Sequence, residues 1–216
     1  MIELRIVVEG QTESAFVDRV LQPHLWRWEI GTVPVVVKTR RDGARPASGG
    51  GNTYAFYEAE LRRSFRDRRD HLRFSTMVDL YKLPGGFPGA EALPDIDRLE
   101  TIWANAIAEP RFIPYVQVHE FEALLLADPL AIRKAFPGAD RELETLQQEI
   151  RRFENPEQID DGEQTAPSKR IITHIPAYKS NKVNAGPLIA EAIGLESLRA
   201  KCPHFGAWLT KLENLR

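Results

Sequence analysis

The chain of 216 residues has one cysteine, Cys202. A single thiol closes no disulfide within the chain and builds no cysteine-based zinc site. Placed before Pro203, it reads as a packed residue rather than a nucleophile. No apolar run approaches the roughly 20 residues that span a bilayer, so no membrane partner is expected. Glu3, Arg5 and Glu9 interrupt the first apolar stretch, which argues against a signal peptide and for a cytoplasmic protein. Bulk charge is lacking too: 29 Lys and Arg against 31 Asp and Glu leave a formal charge of -2, so nothing global announces a polyanion partner. Three catalytic signatures are missing. In "HEFEA", Ala123 stands where a zinc protease has its second histidine. "GARPASGGGN" lacks the Gly-Lys-Ser/Thr ending of a phosphate-binding P-loop, so no ATPase activity is expected in this chain. No Gly-x-Ser-x-Gly elbow occurs.

What is present is alternation. Residues 3–8 read as a short buried strand, and Thr12 as the cap of a helix running to Arg27. "VPVVVKT" (33–39) is a β-branched strand, and the glycines of 40–52 mark a loop. Residues 53–70 are a helix with Phe56, Leu61 and Phe65 inward, 74–81 a strand, and 95–109 a helix opened by Asp95. Residues 112–120 are a fourth strand. Apolar strands separated by helices predict an α/β fold, a parallel four-stranded sheet flanked by helices. From about Asp128 the pattern turns helical and loop-rich, giving a core at 1–127 and a helical C-terminal extension at 128–216. Trp103 and Trp208 read as core or interface residues. Trp26 and Trp28, two apart on a helix end, cannot both face inward.

In such a sheet, function gathers at the carboxyl ends of the strands. Glu9 ends the first strand and Glu13 follows in the first helical turn. Asp79 falls at the end of the third, and Glu120 and Glu122 follow the fourth. Burying a lone carboxylate costs several kcal/mol or more unless something compensates it. Carboxylates crowded together demand a proton or a cation, and Mg²⁺ or Mn²⁺ suits an oxygen-only donor set. Taken singly, Glu13 would only favour a helix dipole and Asp79 only cap a loop. The set points to a site.

"VVEGQTE" followed by "MVDLY" resembles the Toprim domain of topoisomerases, primases and Old-family nucleases. The resemblance implies a Toprim-like version of the Rossmann-like sheet, with Glu9, Glu13 and Asp79 as metal ligands. The Asp-x-Asp of that family reads here Asp79-Leu80-Tyr81, so one ligand is absent, and Glu120 or Glu122 is the candidate to supply it. More closely, "VEGQTE", "VDLYKLP", "VHEFEALLLAD", "TAPSKRI" and "CPHFGAWL" together resemble the family called domain of unknown function 4276, over nearly the whole chain. What the resemblance implies is a metal-dependent nuclease acting on DNA or RNA, paired with a partner ATPase in antiphage defence.

The basic complement is local. From Lys38 to Arg73 there are ten Lys or Arg against five acids. Arg40 and Arg41 sit in the glycine-rich loop, placed to close over a phosphate backbone. Old-type nucleases use a lysine near the metals, and Lys169 is the candidate here, behind Pro167 at a helix start. Arg170, Lys179 and Lys182 are further phosphate-binding candidates. A second reading is a catalytically inactive Toprim-like subunit of an ATPase-containing complex. The missing second Asp motivates it, and Trp26, Trp28 and the acidic helix 139–154 would then face the partner.

Overall fold

The structure is a computed structural model that describes residues 1–38, 53–81, 83–159, 162 and 164–215. Strand β1 (Ile2–Val8) sends Leu4, Ile6 and Val8 into one buried cluster and Val7 into another. Burial on both faces is what a strand inside a parallel sheet requires. Helix α1 (Gln11–Phe16) follows, and a π turn at Val17–Leu21 carries it into α2 (Gln22–Leu25) and a 3-10 turn at Trp26–Trp28. Gly10, not Thr12, holds the cap position, without a side-chain bond. A Cβ on Gly10 would stand 3.2 Å from Glu13 Oε2, and that carboxylate would have to give by a few tenths of an ångström to admit it. Trp28 packs on His24 with ring centres 4.9 Å apart, while Trp26 is exposed.

Strand β2 (Ile30–Val36) starts earlier than the β-branched run suggests. Its start is set by pairing, from Ile2 opposite Ile30 to Val8 opposite Val36. Its outer edge is blunted: Gln22 Oε1 accepts from both the amide and the hydroxyl of Thr32, and Pro34 has no N–H to offer. Next come α3 (Tyr54–Ser64), β3 (Leu72–Asp79) and α4 (Ile96–Ile107), the last capped by Asp95, which accepts the Arg98 N–H at 2.9 Å. The expected fourth strand divides into β4 (Phe112–Ile113) and β5 (Val116–Gln117). Pro114 breaks it, and the Thr76 hydroxyl takes over the pairing by bonding both the N–H and the C=O of Tyr115 at 2.9 Å.

The sheet order is β2-β1-β3-β4, with β5 beside the far end of β3, and every pairing is parallel. Residues of α1 join the cluster containing Leu4 and Ile6, whereas Tyr57 and Leu61 of α3 and Trp103 of α4 join the one containing Val7 and Phe74. The winding therefore reverses between β1 and β3. In sheets of this order the functional crevice opens beyond the carboxyl ends of those two strands.

The remaining helices are α5 (Glu122–Leu125), α6 (Asp140–Ile150), α7 (Pro167–His174), α8 (Lys182–Ile193), α9 (Leu195–Lys201) and α10 (Pro203–Glu213). They share a buried cluster with β1: Leu143, Ile189 and Leu209 pack in the same mass as Leu4 and Ile6. Each such side chain contributes roughly 1.5–3 kcal/mol by its burial. Trp208 docks α10 on the sheet, stacking on Tyr115 at 4.2 Å and donating to Ser75 Oγ at 2.9 Å. Cys202 is fully buried, which pushes its thiol pKa up and leaves it a packed residue. No helix among the described residues is long and apolar enough to cross a membrane.

Candidate functional site

The switch between β1 and β3 is where the acids meet. Asp79, the last residue of β3, donates its N–H to Glu9 Oε1 at 3.2 Å. Phe121 N–H donates to Asp79 Oδ1 at 3.0 Å, which draws the segment after β5 to the same point. Two more bonds close that seam: Leu80 N–H to Gln117 O at 2.9 Å and Tyr81 N–H to His119 O at 2.6 Å. His119 turns the chain with φ 61°, a left-handed conformation uncommon outside glycine, and Glu120 and Glu122 follow the turn. From the other side α8 comes in close. A Cβ on Gly186 would lie 2.9 Å from Phe121 and 3.0 Å from Thr12, so glycine alone permits that approach. It brings Lys182, the first residue of α8, to Glu122, Nζ to Oε1 2.8 Å.

Glu13, Glu120 and Glu122 are buried, and Glu9 and Asp79 are half-buried. Burial and mutual repulsion act together here. Glu13 is raised from 4.5 to about 7, first by burial, then by Glu122 and Glu9. Asp79 is pushed well above the usual carboxylate range by burial and by Glu9, Glu13, Glu122 and Glu120. Burial raises Glu120 as well, with Glu122 adding to it. Burial also raises Glu9, although a Tyr57 hydrogen bond and the Asp79 N–H hold it back. A crevice in which four acids are driven toward protonation has too little positive charge of its own.

Each acid also has a local support. Tyr57 reaches Glu9 from α3, and the carboxylates around it push its own phenol pKa further above a level already raised by burial. Tyr178, in the 3-10 turn Pro176–Ser180, donates to Glu122 Oε1 at 3.2 Å. Ser168 N–H, in the first turn of α7, donates to Glu120. α7 has no side-chain cap, and that bond stands at its first turn instead. The sequence reading passed over both tyrosines. For Tyr57 a signal existed: Tyr57, Leu61 and Phe65 fall four apart and are all buried, whereas Phe56 is only half-buried.

The basic candidates separate sharply. Lys182 contacts one of the acids directly, Glu122. Lys169 and Lys179 are exposed, and neither bonds to any of the five acids. Arg170 does not line the crevice: it is 5% exposed, pairs with Glu149 of α6 and lies over the Phe153 ring at 5.5 Å. Its spacing along α7 turns it inward, and Glu149 with His174 completes that pairing. The acidic helix is correspondingly engaged, through Leu143 and Leu146 in the core and through Glu149. Arg40 and Arg41 lie outside the described residues.

The donor chemistry fits a hard divalent cation, since every acid in the crevice offers oxygen, while the imidazole of the neighbouring His119 has its Nε2 on Glu157 O at 3.0 Å. Among the described residues, no group of three or more His, Cys, Asp or Glu already stands at the spacing of one coordination sphere. Closing on an ion therefore requires these carboxylates to turn toward one another.

The model of the family described as Domain of unknown function (DUF4276) matches residues 8–213, and the chain belongs to that family. No curated protein and no solved structure matches it significantly.

Proposed function

We propose that the chain is a metal-dependent phosphodiesterase acting on nucleic acid. Glu9, Glu13 and Asp79 hold Mg²⁺ or Mn²⁺, and Glu120 or Glu122 supplies the carboxylate that Tyr81 does not. The supporting observation is the gathering of five acids from the end of β1, α1, β3 and the segment after β5 around one crevice, with Lys182 ion-paired to Glu122. When bound, such an ion would polarise a phosphoryl oxygen and acidify an attached water.

The chain's own residues do the rest. The Tyr57 hydroxyl and the Asp79 N–H fix one carboxylate oxygen set of Glu9. Glu13, near 7 in the metal-free crevice, gives up its proton close to neutral pH and so becomes available as a ligand there. Lys182 offsets Glu122 and offers an ammonium to an incoming phosphate, the role the sequence reading gave to Lys169. The Old-type resemblance adds antiphage defence with a partner ATPase as the setting.

The test is cleavage of labelled DNA and RNA with Mg²⁺ or Mn²⁺ by wild type, Glu9→Gln and Asp79→Asn. Loss of cleavage in both variants is expected, and equal cleavage by all three proteins rejects the proposal. The second reading, an inactive interaction subunit, is favoured by Tyr81 and by the unconverged carboxylates. Calorimetric Mn²⁺ binding that Asp79→Asn abolishes would exclude it.

A further inference from the structure

The opposite end of the sheet carries the reverse arrangement of charge. Between the last turn of α3 and the start of β3 stand Arg62, Arg63, Arg66, Arg68 and Arg69, all exposed. Their acidic partners lie beneath them. Arg63 is 55% exposed over Glu60 at 7%, Arg68 80% over Glu109 at 11%, and Arg69 49% over Asp67 at 28%. Arg66 has no acidic partner among the described residues. Arg62 pairs with Glu58, the more exposed of the pair being again the guanidinium, 55% against 36%, and Asp70 is an exposed acid of this face. Arg62, Arg66 and Arg68 ring a hollow of about 280 Å³ with Phe65, Ile107 and Glu109 in its lining. Arg111 braces the base, donating to the backbone carbonyls of Asp67 at 3.0 Å and Phe65 at 3.4 Å.

We propose that this arginine face docks the phosphodiester backbone of a nucleic acid, at a second surface separate from the carboxylate crevice. The planar guanidinium fork matches a phosphate bidentately, and the concave rim carries arginine without lysine. A flat anionic membrane is served as well by lysine and needs no hollow. The inference rests on the nuclease reading for its ligand class and extends it by saying where the rest of a bound strand lies. The two ends are separated by the eight residues of β3, about 23 Å at 3.3 Å per residue. At 3.4 Å per step, a duplex shorter than about seven base pairs cannot reach both.

The experiment is fluorescence anisotropy of the full chain in EDTA, over a salt series, with DNA duplex, single-stranded DNA and RNA probes of about 30 nucleotides per strand. Arg62→Ala, Arg66→Ala and Arg68→Ala are combined in one variant and the three Arg→Lys changes in another. The alanine variant is expected to flatten the slope of log affinity against log salt by about two to three, and the lysine variant to keep it. A six-base-pair probe, which reaches the arginine face alone, is expected to show the same difference at lower affinity. An unchanged slope in a folded alanine variant overturns the proposal, as does no binding by wild type. So does arginine-dependent binding to phosphatidylserine vesicles without binding to nucleic acid. EDTA separates this test from turnover: arginine-dependent binding by a chain that cleaves nothing with Mg²⁺ or Mn²⁺ removes the nuclease reading and leaves this one standing.

Discussion

The two ends of this sheet hold the same chemical group in opposite states. Where β3 begins, Asp67 and Glu109 are held below the usual carboxylate range by the guanidinium groups of Arg69 and Arg111. Where β3 ends, Glu9, Glu13, Asp79 and Glu120 are pushed above it by burial, and all but Glu9 also by neighbouring carboxylates, Glu122 among them. At one end Asp67 and Glu109 each have an arginine partner. At the other, Lys182 is paired to Glu122 and the remaining acids lack a cation among the described residues. The paired acids of the first end need no further cation, and what that end leaves over is positive charge, on Arg66. The acids of the second are balanced only by protons or by an added cation, and that deficit is what marks a cation site.

The largest expected effect separates the ends by pH. Glu13 binds its proton more tightly in the folded chain, at about 7 against 4.5. A carboxylate raised in this way stabilises the fold at low pH, and that stability is lost as pH rises through the folded value. At 1.36 kcal/mol per unit the loss from Glu13 alone is about 3 kcal/mol between roughly pH 4.5 and pH 8. Asp67 and Glu109 have the opposite sign: their contribution is present at neutral pH and disappears only in acid, below that window. Urea unfolding of the metal-free chain should therefore show stability falling toward pH 8. Glu13→Gln should be flatter and more stable than wild type there, and Mn²⁺ should restore the wild type. A flat wild-type profile would erase the distinction between the two ends.

How much of this was legible follows from range. The α/β order was readable because buried parallel strands and amphipathic helices are local patterns. The strand-end acids were readable for the same reason, since each closes an apolar run. What could not be read was whatever depends on distant pairing. Pro114 divides the fourth strand, yet its effect is visible only once Thr76 is seen to take over the bonding. Arg170 and Lys182 are equally basic in sequence, and only the packing of α6 and α8 sends one under Glu149 and the other to Glu122. Tyr57 carried a helical-period signal, but that it meets Glu9 depends on α3 crossing the face of β1.

The arginine end can be probed by removing its brace. Arg111 pairs with Glu109 at 2.9 Å, bonds two backbone carbonyls of the α3–β3 connection and lies over Phe74 at 5.0 Å. Arg111→Ala should cost about 2 kcal/mol, within the range for hydrogen bonds to charged groups. Arg111→Lys should recover little, since an ammonium cannot span the same acceptors. Denaturant midpoints measure both. A loss well under 1 kcal/mol for the alanine variant would show the network to be only a solvated surface.

The smallest expected effect lies at the one point where the acidic end resembles the basic one. Lys182 stands on Glu122 as Arg111 stands on Glu109, 2.8 Å from its oxygen. If the crevice exists to receive a cation, this lysine competes with it, and Lys182→Gln should bind Mn²⁺ about tenfold more tightly, some 1.4 kcal/mol. If the same ammonium receives the phosphate, the variant should cleave more slowly despite its better-held metal. Calorimetry and turnover must then move in opposite directions. A variant that loses Mn²⁺ affinity instead would make Lys182 a structural partner of Glu122, and the two ends of the sheet would differ in degree rather than in kind.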